Sequence, residues 1–188
     1  MDLTPVLMPR LLDRRLPNLD MDQDAVFPAY DGLSLLNVPA SLSSWLGGPA
    51  LPHMPLAIPE LQPLAENVQQ VVVALVDAVS FDRFLAWLKG PASSLKPFVG
   101  AGLLAPLTSA VPSTTTSALT TLWTGASPAE HGILGYELFL REFGLVVNMI
   151  TLAPAILEGQ RGFLKRGGVA ADALLPAPTL GIRLTAAA

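Results

Sequence analysis

The sequence contains no cysteine. That excludes disulfides and thiolate metal sites, and leaves the compartment undecided. Histidine is nearly absent as well, with His53 and His131 the only two. Charged residues make up 14% of the chain and hydrophobic ones 51%, a balance that excludes a disordered polyelectrolyte and supplies ample material for a core. The net charge of −4 comes with scattered Lys and Arg. Without a basic patch, nucleic-acid binding is disfavoured. No apolar run approaches the roughly 18–20 residues of a membrane span. The opening MDLTPVLMPRLLDRRLPNLDMDQ interrupts its apolar residues with acids and arginines, so it lacks the core of a signal peptide. The expectation is a soluble, cytoplasmic chain that contacts neither membrane nor nucleic acid.

What is present is concentrated between Val71 and Gly125. Val71–Val76 is six apolar residues, four of them Val, and it ends on Asp77. A short β-rich run of this kind predicts a strand buried on both faces, as in a parallel sheet. Asp77 then stands at the carboxyl end of the strand, where α/β sheets bind ligands. It reads either as a metal ligand or as the cap of the helix that starts near Ser80 and Phe81. Leu107–Val111 predicts a second core strand, stopped by Pro112. The hydroxyl cluster Ser113, Thr114, Thr115, Thr116 and Ser117 follows. Leu119, Leu122 and Trp123 recur at i, i+3 and i+4, one face of a helix, so the hydroxyls sit at a helix N-terminus. Free N–H groups there favour an anion, and a Thr hydroxyl beside a divalent metal can act as a nucleophile. Ser and Thr are equally ordinary caps, and that reading stays open.

These residues resemble a family. Strand-Asp followed by PSTTTSALTTLWTGASPAEHGILGY is similar to the type I phosphodiesterase / nucleotide pyrophosphatase branch of the alkaline phosphatase superfamily. Pro112, Thr115, Thr124, Gly125, Pro128, His131, Gly132 and Ile133 fit its pattern in register across Val71–Tyr136. The resemblance implies a metal-dependent phosphodiesterase or phosphatase acting on a small phosphoester. Thr115 would be the nucleophile, Asp77 and Thr115 would contact metal, and Thr114, Thr116 and Tyr136 would contact substrate. The implied cofactor is a pair of divalent ions, zinc by resemblance. Two positions depart from the family: Ala78 where Asp-Gly is usual, and Ala118 where many nucleotide pyrophosphatases carry Asn. His131 is expected to support its loop and to ligate nothing.

The implied fold is α/β, an alkaline-phosphatase-like three-layer sandwich with a mostly parallel sheet. Strand, helix, strand, helix imply a right-handed crossover. Residues 1–68, rich in Pro and Leu, would be an extension packed on the core, with a short helix in LSLLNVPASLSSWLGG. Residues 69–188 would be the N-terminal part of the domain. Phe81, Phe84, Leu85 and Leu88 form a helical packing stripe that ends at Gly90, and Leu95–Leu104 reads as a loop. Tyr136–Leu152 predicts a β-hairpin with Gly144 in its turn, and Tyr136, Glu137, Arg141 and Asn148 are candidates to reach substrate. His53, among prolines with no acid at ligand spacing, reads as a plain surface or packing residue. A helix starts at Pro178–Leu180. The family's metal pair uses three Asp and three His, of which only Asp77 has a counterpart here, so the domain is expected to be incomplete at its C-terminal end. The alternative is a non-catalytic α/β remnant or binding module. A half-built sheet would expose an edge and favour self-association.

Overall fold

A computed structural model describes residues 1–90, 94–175 and 177–187. The largest buried apolar cluster lies near the N-terminus. In Thr4–Leu12 (α1), Leu7 and Leu11 fall one turn apart and are buried with Leu3, Ala29, Leu33 and Ile58. Leu103, Ala105 and Leu107 pack against this group from a distant part of the chain. Backbone bonds fix that contact. Leu3 N–H donates to Leu104 O at 2.8 Å, and Thr108 N–H donates to Leu33 O at 3.0 Å. Asp2↔Leu104 and Ser34↔Thr108 are isolated parallel bridges.

The expected parallel core is not formed among the described residues. Val71–Val76 pairs with no strand, and Val72 is 92% exposed. Leu107–Val111 is not a strand beyond the bridge at Thr108. Leu104 and Thr108 bond residues 1–3 and 33–35, and among the described residues no backbone ladder joins this segment to Val71–Val76. A strand buried on both faces requires one.

The helices follow local signals more closely. Val38–Trp45 (α2) has Pro39 in its first turn, where the missing N–H costs nothing. Gln62–Ala65 (α3) lies in the expected connector. Phe81–Lys89 (α4) starts at Ser80, whose hydroxyl accepts from Arg83 N–H at 3.3 Å. Its stripe of Phe81, Phe84, Leu85 and Leu88 is only half-buried, because the sheet it was expected to cover is absent. Lys96–Ala101 (α5) is a short helix where a loop was expected; Leu95, just before it, accepts from Phe98 and Val99 N–H. Thr115–Thr124 (α6) and Pro128–His131 (α7) each end on a glycine in the left-handed region, Gly125 and Gly132. Phe163–Arg166 (α8) and Leu180–Ala187 (α9) complete the set, the last as expected.

The sheet is antiparallel and small: Glu137–Leu140 (β1), Leu145–Asn148 (β2) and Ala153–Pro154 (β3), in that order. The hairpin expected at 136–152 is present, with Glu137 opposite Asn148 and Leu140 opposite Leu145. Gly144, at φ +61, closes its turn. The fold is therefore mixed α/β, and the sheet is antiparallel rather than parallel. With no half-built parallel sheet, the self-association expected through its edge loses its basis. Among the described residues no helix is long and apolar enough to cross a membrane.

α6 is the organising helix, in contact with α2, α7, α9 and the turn Leu35–Asn37. Its buried face is not the expected Leu119–Leu122–Trp123 stripe. Leu122 is buried, Leu119 is half-buried and Trp123 is 49% exposed. Ser117, Thr121 and Thr124 are the inward residues instead. Small hydroxyl side chains let neighbours approach closely, and two of the helix's threonines bond back onto it. Thr120 and Thr124 donate to Thr116 O and Thr120 O at 2.8 and 2.6 Å.

Candidate functional site

The site begins at the start of α6. Thr114 is its N-cap, in extended backbone, and its hydroxyl accepts from Ser117 N–H at 3.4 Å. Thr115 is therefore the first residue of a ten-residue helix, in the field of its free N–H groups. Its Oγ1 donates to Asp77 Oδ2 at 3.1 Å, across 38 residues of sequence. The other carboxylate oxygen, Oδ1, accepts from Ala78 N–H at 2.7 Å. Ala78 holds φ +60, in the left-handed region. Alanine thus holds a conformation that glycine suits better.

A recess of about 170 Å³ lies over this pair. Asp77, Thr115 and Ser109 supply its polar edge, and Leu35, Leu75, Val76, Ala118, Leu119 and Leu122 its apolar walls. It is smaller than the roughly 300 Å³ at which drug-sized pockets begin, so it suits a compact group. Ala118 leaves this part of the wall without the amide that an Asn would supply.

The structure brings Asp77 and Thr115 together and uses the other expected residues differently. Thr114 Oγ1 donates to Leu134 O at 3.2 Å, and Thr116 Oγ1 donates to Gly135 O at 2.7 Å. Both hydroxyls fasten the segment before β1 onto α6. Tyr136 lines a separate cavity of about 270 Å³ with Glu137, Asn148 and Glu158. Asn148 Oδ1 accepts from Ile150 and Thr151 N–H, both at 3.0 Å, so it shapes the turn after β2.

Both histidines are committed elsewhere. His131 is 3% exposed. Its Nδ1 accepts from Ile133 N–H at 3.0 Å and its Nε2 lies 3.0 Å from Thr121 Oγ1. An accepting Nδ1 fixes the proton on Nε2, so the ring is neutral. Burial lowers its pKa below the ordinary 6.5. His131 thus fastens the α7 loop to the middle of α6. His53 Nε2 lies 2.7 Å from Glu130 Oε2, a partner 77 residues away that no local spacing signals. The His53 contact and the Ser127 N–H bond hold the Glu130 carboxyl down at about 2.

The type I phosphodiesterase / nucleotide pyrophosphatase model matches residues 71–165, just over half of the 188-residue chain. The chain belongs to this family. Asp77, Thr115 and the His131 loop all fall inside the matched segment. No curated protein and no solved structure matches the chain.

Membership in the phosphodiesterase family suggests a divalent metal. The residues present do not fit a metal pair. Asp77 and Thr115 are only two side chains, and the described residues contain no group of three or more His, Asp or Glu able to hold an ion. Both His side chains are engaged as above.

Proposed function

We propose that this chain carries the nucleophile half of a phosphoester-hydrolase site, with Thr115 as nucleophile and Asp77 as its partner. One observation carries the reading: the Thr115 hydroxyl is hydrogen-bonded to a carboxylate from a distant segment, at the N-terminus of the longest helix in the fold. The hydroxyl hydrogen points at Asp77, which leaves an oxygen lone pair free to attack phosphorus. In that step the Thr115 Oγ–P bond forms, the bond from phosphorus to the leaving oxygen breaks, and Asp77 takes the proton. Water then cleaves the phosphothreonine. The N–H groups of α6 stabilise the phosphoryl oxygens. The family's metal, zinc by resemblance, enters no step here, because the donor set falls short of a dimetal site.

That shortfall favours a second reading, a phosphate-binding module without turnover. The two separate on one variant. Under the hydrolase reading, Thr115→Ala lowers the turnover of bis(p-nitrophenyl) phosphate by roughly 10³-fold or more. Undiminished turnover in that variant sinks the nucleophile assignment. Binding of inorganic phosphate with no turnover in the unmodified chain supports the module.

A further inference from the structure

A second cavity, of about 410 Å³, opens on the neighbouring face of α6. Leu119 borders both this cavity and the Asp77–Thr115 recess. Ile133, Met149, Ile150 and Leu152 form much of its wall, and no charged or aromatic side chain of the described residues lines it. Two hydroxyls reach the lining, and both are spent: Thr116 donates to Gly135 O and Thr120 to Thr116 O. The volume lies within the range of small-molecule pockets. Methionine and leucine walls adapt to flexible chains. A nucleobase would find neither a stacking ring nor a free hydroxyl donor among the described residues of this wall, so its ring nitrogens would be buried without a side-chain donor.

We infer that this cavity holds the aliphatic chain of a phosphate ester, with the phosphoryl group lying across Leu119 at Thr115. The inference rests on the proposed phosphoester site and adds the substrate class: esters of aliphatic alcohols rather than nucleotides. Its recognition is hydrophobic, so affinity should rise with chain length until the cavity is full.

The test is a calorimetric titration of the whole chain with methyl, butyl, hexyl and octyl phosphate below micelle formation, and with adenosine monophosphate. The expected result is a gain of about four-fold in affinity per added methylene, with octyl phosphate tighter than the nucleotide. Ile150→Asn, at a 42% exposed position of the wall, should flatten that series. Affinity independent of chain length, or a nucleotide preference, overturns the inference even where phosphate itself binds. The titration needs no turnover. A chain-length series with no hydrolysis of any ester would keep the aliphatic cavity and remove the hydrolase reading. Loss of turnover on Thr115→Ala beside a flat series would do the reverse.

Discussion

At the scale of single residues, the site is a hydrogen bond and a strained turn. Asp77 and Ala78 form one unit, since the φ +60 of Ala78 presents its N–H to the carboxylate that accepts from Thr115. Left-handed backbone costs a non-glycine residue about 1–2 kcal/mol, and a glycine adds about 0.4–1 kcal/mol of unfolded-state entropy. Ala78→Gly is therefore expected to stabilise by about 0.5 kcal/mol, read as a higher urea midpoint at unchanged slope; a lower midpoint would mean that the turn is not strained. His131 makes a pH prediction. Its folded pKa is depressed by burial from 6.5, so its contribution is whole above that value and is lost as pH falls, because the unfolded chain takes up the proton first. The melting temperature should drop as pH falls through 6.5, and His131→Gln should remove that part of the slope. A His53→Gln control separates the pair with Glu130. An unchanged slope in His131→Gln would contradict a buried neutral ring. The Asp77–Thr115 approach was expected from the family resemblance and from two neighbouring parallel strands; the two side chains do meet, without those strands. The engagement of Thr114 and Thr116 with Leu134 and Gly135 was not legible in the sequence, since it depends on where a later segment returns.

At the scale of elements, helix starts and turns were the readable part, although the cap of α4 is Ser80 and not Asp77. Ser80 starts α4, Thr114 starts α6, and Gly144 closes the hairpin, each through chemistry contained within a few residues. The strands were misread because a strand needs a neighbour, and the neighbour is not local. Leu104 and Thr108 bond residues 1–3 and 33–35, and the valine run lies open, with Val72 92% exposed. The face of α6 was misread for a related reason. Hydrophobicity pointed to Leu119 and Trp123, but close packing of small hydroxyl residues decided the orientation. Val72→Lys tests the strand directly. At a 92% exposed position it should change stability by no more than about 0.5 kcal/mol. On a strand buried on both faces, the same charge would cost several kcal/mol. A urea titration of the variant distinguishes the two.

At the scale of the molecule, two distant regions meet around α6. The segment carrying Asp77 reaches its N-terminal end. His53 and Glu130 tie the N-terminal region to the α7 loop, and His131 joins that loop to the helix. The scaffold thus positions one hydroxyl against one carboxylate while offering too few donors for a metal pair. The central claim is that Thr115 is chemically competent in this setting. The most direct measurement is mass spectrometry of the peptide containing Thr115, after the chain is incubated with bis(p-nitrophenyl) phosphate and quenched in acid. The account predicts a phosphoryl adduct on Thr115 that is missing from both Thr115→Ala and Asp77→Asn. Ester hydrolysis with no adduct on Thr115, and with full activity in Thr115→Ala, would contradict it.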